Sequence, residues 1–340
     1  MSYRLKRFVR RHTLFNKLPP RGRGYVFVVG GYVPNGGTFM AYTIGRILHQ
    51  QFGRTPVIVN VDCESPRESP FTYPQHYPIV SIETLLNNAR DDDILVVNPS
   101  FSEYFLGKRC RGIKVCYLQS FTGYRMLDCF HDLYVSVSSF VAEYVDWVYG
   151  IKSDVIPAYI SLPAPADVPT WRDRPADSVF VFDKPGAAAQ RALLSDFLAR
   201  FRELRPDVQV RSTGGQKLPQ PELLRLIRAH RYFVTLSPTE GFGLVPLEAM
   251  AQGATVVGFD GFGGRDYMRH DVNCMATPYP DLEGPPNMLA AVLSDPGKAE
   301  RLAAAGQATV GKYGYDNFRD RWTHTLSKLL QEEPKHDSKL

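Results

Sequence analysis

Two glutamates, Glu240 and Glu248, are separated by seven residues and frame the tetrapeptide Gly241-Phe242-Gly243-Leu244. An ionised carboxylate only accepts hydrogen bonds, so it suits a polyhydroxylated ligand. A carboxylate held beside a reacting carbon also stabilises an oxocarbenium-like transition state. The stretch 235–258 reads strand, loop, helix, strand, with Glu240 on the loop where the strand ends. Gly241 and Gly243 permit close backbone approach and unusual dihedrals there. The amides of Phe242, Gly243 and Leu244 then stand free at a helix N-terminus, where the dipole favours an anion such as a diphosphate. Ala249, Met250 and Ala251 keep that helix slim, and Gly253 is placed to end it in a left-handed cap. A bare pair of glutamates at this spacing decorates many solvated helices, but such a helix does not explain Gly-Phe-Gly at the end of a strand.

The elements around this stretch must hold it. An apolar run at 25–29 suits a strand buried on both faces, and the loop from Gly30 through Gly36-Gly37 leads into a helix at about 39–50. Further apolar runs at 57–61, 94–98, 114–118 and 133–137 alternate with helical stretches such as 82–89 and 140–149. That alternation predicts a parallel, doubly wound sheet. Residues 161–176 are proline-rich and aperiodic, as in an interdomain connection. The alternation then restarts, with strands at 178–182, 208–211, 232–236 and 255–259 and helices at 187–201, 222–229 and 244–252. The remainder reads as helix over 286–310 and over 316–330. The expected division is a basic arm (1–23), a first Rossmann-like domain (24–165), a second (166–312), a helix returning to the first (313–330) and a frayed tail (331–340).

The string from Glu240 to Gly253 resembles family 4 of the glycosyltransferases, whose signature is two glutamates with seven residues between them, around Gly-Phe-Gly-Leu and followed by Glu-Ala-Met-Ala-x-Gly. The resemblance is strongest over 178–310 and thinner before that. It implies an α/β fold of two Rossmann-like doubly wound domains facing a cleft, the GT-B architecture, with a C-terminal helix crossing back to the first domain. It implies a nucleoside-diphosphate sugar as donor, lying mainly on the second domain, and transfer with retention of anomeric configuration. Glu240 is then the catalytic carboxylate beside the donor sugar, and Glu248 accepts hydrogen bonds from the ribose hydroxyls. Gly241, Phe242, Gly243 and Leu244 complete the donor site. The family places an Arg and then a Lys on the donor phosphates after the first strand of the second domain. Here the two cations are Lys184 and Arg191, with types exchanged and spacing loosened. Gly36 and Gly37 match the glycine-rich loop that the family points at donor and acceptor. Gln119 stands where many members carry a His near the reacting centre, and Ser138 either lines the cleft or caps a helix. Two departures stand out. Asp266 occupies the place of a family Glu, and Cys274 replaces a Gly, with packing as its expected role.

Composition bounds the alternatives. The chain has 340 residues, 44% of them hydrophobic, enough to fill two cores. No apolar run approaches the roughly 20 residues of a membrane-spanning helix. The net charge is +5, and Arg4, Lys6, Arg7, Arg10, Arg11, Lys17, Arg21 and Arg23 crowd the N-terminal arm. Such an arm either docks on anionic lipid or stays solvated. No RNA-binding motif follows it, so no nucleic acid is expected. The spacing of Gly30-Gly31 and Gly36-Gly37 is not the dinucleotide fingerprint. Five scattered cysteines (Cys63, Cys110, Cys116, Cys129 and Cys274) lack zinc spacing. Asp91-Asp92-Asp93 invites a manganese reading but reads better as the charged edge of the next strand. No metal or other cofactor is expected, and the acceptor class preferred is a glycan or lipid-linked glycan. The location expected is cytoplasmic, peripheral on the inner face of the membrane. Rival readings are a nucleotide-sugar epimerase or phosphorylase on the same architecture, or a non-catalytic sugar-nucleotide-binding subunit.

Overall fold

A computed structural model describes residues 17–30, 35–61, 77–184 and 188–331. The tip of the first glycine loop, most of the basic arm and the end of the tail lie outside those residues. The chain divides into two compact units.

The first unit holds a seven-stranded sheet. Its strands are β1 (Tyr25–Gly30), β2 (Thr55–Asn60), β3 (Ile79–Val80), β4 (Ile94–Val97), β5 (Ile113–Leu118), β6 (Leu133–Ser136) and β7 (Asp154–Val155), in the order β3-β2-β1-β4-β5-β6-β7. All neighbours pair parallel. The order reverses between β1 and β4, so the crossover helices fall on opposite faces and a crevice opens at the strands' carboxyl ends. Helix α1 (Gly36–Phe52) follows β1. Asn35 caps it by accepting the Thr38 amide at 2.9 Å, and Gly53 closes it at φ 70°. Three further helices complete the crossovers: α2 (Ile82–Asn88), α3 (Leu106–Arg109) and α4 (Ser139–Tyr149), although Ser138–Phe140 at the start of α4 group with the second unit.

The last helix groups with this unit, as does everything from Asp316 onward. That helix takes a later label, α10 (Tyr315–Leu330). It buries Phe318, Trp322 and Leu326 at helical spacing, and the Tyr117 ring meets Trp322 edge-on at 5.2 Å.

The aspartate triplet before β4 is structural. Asp93 is buried and accepts the Tyr25 and Arg90 amides at 2.6 and 2.8 Å, while Arg21 pairs with both Asp92 and Asp93. Asp91 faces outward to Arg111 at 2.8 Å.

The second unit has a five-stranded parallel sheet of β8 (Val179–Phe182), β9 (Val210–Ser212), β10 (Tyr232–Thr235), β11 (Thr255–Phe259) and β12 (Met275–Thr277). The order is β12-β11-β10-β8-β9. Counted from its own first strand this is 2-1-3-4-5, the other common doubly wound order, with its reversal between β8 and β10. The helices are α5 (Ala188–Leu204), α6 (Gln220–Arg228), α7 (Leu244–Ala251), α8 (Gly284–Ser294) and α9 (Pro296–Val310). The expected single helix over 286–310 is two, because Pro296 starts a new helix that Asp295 caps through the Lys298 amide at 3.0 Å. The short strand β12 escapes the sequence reading.

The proline-rich stretch is packed rather than loose. Trp171 is buried and donates from Nε1 to Thr255 Oγ1 at 2.9 Å. Arg174 is buried against the carbonyls of His230, Pro169 and Gln252, the last of which closes α7. Burial, with Arg228 and Arg231 nearby, pushes the Arg174 guanidinium down to about 10. Residues from Ala158 group with this unit, held by the Ile160 amide on the Tyr313 carbonyl and by Tyr159 against Tyr315 at 5.4 Å.

Candidate functional site

In the second unit, Glu240 lies on the loop between β10 and α7, at the sheet's reversal point. Its backbone is clamped from below by the loop after β11. The Glu240 amide donates to the Gly261 carbonyl at 2.7 Å, and the Gly263 amide donates to the Glu240 carbonyl at 3.1 Å. Phe262 sits between them at φ 67°, a region that costs a non-glycine residue about 1–3 kcal/mol. Its ring lies 5.0 Å from that of Phe140, and the Arg265 guanidinium covers it at 4.7 Å while pairing with Asp260 at 2.8 Å. A Cβ on Gly263 would stand 2.1 Å from the Gly241 carbonyl oxygen, so only glycine lets the two loops meet.

The start of α7 is fixed in the same way. Gly243 adopts φ 84°, and the buried Tyr267 hydroxyl donates to its carbonyl. Phe242, Tyr267 and Tyr313 form an aromatic cluster beneath the loop, with ring centroids 5.3 to 5.9 Å apart. The amides of Phe242, Gly243 and Leu244 have no hydrogen-bond partner among the described residues. They form the positive end of α7, where a helix favours an anion.

Lys184, just past β8, places Nζ 3.0 Å from Glu240 Oε1 and is half exposed. Strands β8 and β10 are neighbours, so their ends bring together residues 56 apart in sequence. Glu248, on the second turn of α7, is buried, and burial pushes its carboxyl up to about 7. The Gln220 side chain donates to its Oε1 at 2.5 Å and opposes that rise.

The remaining expected residues fall as follows. Arg191 is exposed on the first turn of α5 and makes no side-chain bond to the described site residues. Ser138 donates from Oγ to the Gly241 carbonyl at 2.6 Å, so its hydroxyl ties down the glutamate loop. Asp266 accepts the Ser139 amide at 2.9 Å, which gives the departed glutamate position a helix-capping role. Cys274 is fully buried, as a packing residue should be, and burial raises its thiol to about 12. In the first unit, Gly36 and Gly37 open α1 beside the reversal between β1 and β4. Gln119, after β5, donates from Nε2 to the Gly37 carbonyl at 3.0 Å.

Sequence reasoning missed three participants: Gln220, Tyr267 and the Phe262–Arg265 clamp. A polar residue at a helix start, a tyrosine and a phenylalanine are ordinary in such places, and only their neighbours in space give them roles. Among the described residues no group of three or more His, Cys, Asp or Glu could hold a metal ion.

The two sheets define the double-Rossmann α/β class found in GT-B glycosyltransferases. HepE of Anabaena, in complex with UDP and glucose, aligns with TM-score 0.70 at 15% identity over 89% of this chain and 99% of its own. Sucrose-phosphate synthase of Thermosynechococcus elongatus aligns with TM-score 0.65 at 15% identity, over 90% and 99%. Residues 197–309 match the family model of glycosyl transferases group 1. A D-inositol 3-phosphate glycosyltransferase of Thermobispora bispora is 32% identical over 113 residues, 33% of this chain. The chain matches only 26% of that relative's length.

Proposed function

We propose that the chain is a retaining glycosyltransferase that moves a sugar from a nucleoside diphosphate to a hydroxyl of a glycan or lipid-linked glycan. The observation that carries this reading is the meeting of Glu240 and Lys184 at 3.0 Å beside the unpartnered amides that open α7. A carboxylate, a cation and a helix N-terminus converge where a sugar diphosphate needs all three. In the proposed reaction the acceptor oxygen bonds to the anomeric carbon as the bond to the diphosphate breaks on the same face. The acceptor proton passes to the departing diphosphate. Glu240 stabilises positive charge at the anomeric carbon, while Lys184 and the amides of Phe242, Gly243 and Leu244 stabilise the leaving oxygen. These groups let the chemistry run without a metal. Glu248 accepts the ribose hydroxyls. Arg191 remains a proposed second phosphate contact, Gly36 and Gly37 remain proposed donor contacts, and Gln119 remains a proposed acceptor contact.

UDP is the first nucleotide to test, because HepE was captured with UDP and with UDP-glucose. The experiment is thermal shift with UDP, GDP, dTDP, CDP and ADP in parallel, followed by sugar transfer from the matching donors. Stabilisation by one diphosphate, lost in Glu248→Ala, supports the reading. No response to any of them at millimolar concentration sinks it.

The proposal also places the enzyme on the cytoplasmic face of a membrane, held by its basic arm. No helix among the described residues is long and apolar enough to cross a membrane. Arg21 is taken up by Asp92 and Asp93, so the proposed contact rests on the arm's other basic residues. Removing 1–23 should abolish binding to anionic liposomes; unchanged binding refutes the placement.

A further inference from the structure

Among the described residues, the Glu248 carboxylate has one hydrogen-bond partner, Gln220, at the first position of α6. Resting on the donor reading above, we propose that Gln220 is the positioning residue that presents Glu248 to the nucleotide's ribose diol, and that docking of the diol expels a proton from Glu248.

The local backbone favours this role. Pro219 and Pro221 flank Gln220, which fixes the start of α6. Leu223, Leu226 and Ile227 bury the inner face of the same helix, so the Gln220 Cα is anchored beside α7 although its side chain reaches the surface. The amide has two hydrogens and spends one on Oε1 of Glu248. That single bond orients a buried carboxyl group that meets no cation.

Among the described residues, burial and Gln220 govern the Glu248 carboxyl, and the charged groups of the helices packed against α7 are engaged elsewhere. On α6, Arg228 is bonded to Gln252 Oε1 at 2.9 Å, one turn past Glu248, and Glu222 and Arg225 make no bond to the carboxyl. On α9, Lys298 and Arg301 pair with Asp271, and Glu300 pairs with Arg172. Strand β10 contributes Tyr232, and beyond its end lies Glu240, paired with Lys184. Strand β11 contributes none, and the segment after it contributes Tyr267, whose hydroxyl burial holds neutral.

With its midpoint raised to about 7, the empty site's carboxyl is protonated through much of the mildly acidic range. Two ribose hydroxyls donate more strongly to the ionised form, whose two oxygens both accept, so their arrival lowers that midpoint and the proton goes to solvent. Above the midpoint the carboxyl is already ionised and nothing is released.

The test is isothermal titration of the full chain with UDP, in pairs of buffers that differ in ionisation enthalpy, at about pH 6 and about pH 9. The control is dUDP, which keeps the phosphates and lacks the 2′-hydroxyl. The expected result is close to one proton released per UDP at the lower pH, less with dUDP, and none at the higher pH. Gln220→Met keeps the length and removes the donor. It should weaken UDP binding about tenfold and move the pH dependence to higher pH, and Gln220→Glu should move it further. Equal proton release with UDP and dUDP overturns the inference, as does a Gln220→Met variant that changes the melting temperature but neither Kd nor the pH profile. Failure of every nucleotide to bind refutes the donor reading and the inference together, whereas binding without UDP-specific proton release refutes the inference alone.

Discussion

The two units solve one architectural problem twice and equip the result differently. Each winds a parallel sheet outward from a reversal point, β1/β4 in the first unit and β8/β10 in the second. At the first reversal, the groups that meet among the described residues are neutral: the Gln119 amide rests on the Gly37 carbonyl. At the second, an ion pair stands at the rim, a carboxyl group lies buried behind it, and a glycine-only backbone junction locks both. The difference teaches that this topology supplies a crevice, while the residues at the strand ends decide whether it can act on charge. It also predicts unequal tolerance. The second site is wedged by backbone against backbone, whereas the first has a side chain that can yield.

The most damaging change should be Gly263→Ala. Its Cβ meets the Gly241 carbonyl oxygen at 2.1 Å, and neither loop can retreat without moving Glu240. Transfer should fall by at least about 10²-fold, with a clear loss of melting temperature. An alanine variant with full activity would break the claim that the junction is rigid.

Next in size is Glu240→Gln, expected to lower kcat by about 10²–10³ while UDP affinity stays within a few-fold. A loss confined to KM would instead make Glu240 a binding residue.

Glu248→Gln should act on stability, with a sign that depends on pH. The folded carboxyl is raised from 4.5 to about 7, so the unfolded chain ionises first and the native state loses stability as pH rises between those values. Removing the charge should leave the empty protein unchanged near pH 4 and more stable by up to about 3 kcal/mol near pH 8. Denaturation at the two pH values checks this, and equal effects at both would remove the buried charge from the account.

The smallest effect belongs to the first unit. A Cβ on Gly37 meets side chains rather than backbone, the end of Gln119 at 2.6 Å and the Asn35 Oδ1 at 3.2 Å. Gly37→Ala should therefore cost under about 1 kcal/mol, and Gln119→Ala should leave UDP affinity unaltered. A large loss of stability in Gly37→Ala, or of nucleotide binding in Gln119→Ala, would erase the contrast between the units.

Much of this was legible in one dimension. The fully buried run Tyr25–Gly30 and the string from Glu240 to Gly253 are local codes for strand, turn and helix end, whereas the Asn35 cap, which starts α1 at Gly36 rather than near 39, was not read. They announced two wound sheets and the glutamate loop, because periodicity and glycine placement act over a few residues. The break at Pro296 was equally local and was passed over.

What the sequence determined by itself is the alternation of elements and the identity of the groups at their ends. Tertiary structure alone decided the pairings: Lys184 with Glu240 across neighbouring strands, Gln220 with Glu248 across neighbouring helices, and Tyr267 beneath Gly243. It also decided the ionisation of Glu248, which looks like any helical glutamate in the sequence and becomes a proton carrier only where packing strips it of water. Local preferences act along the chain, whereas hydrogen bonds and desolvation depend on distances that exist only after the chain has closed on itself.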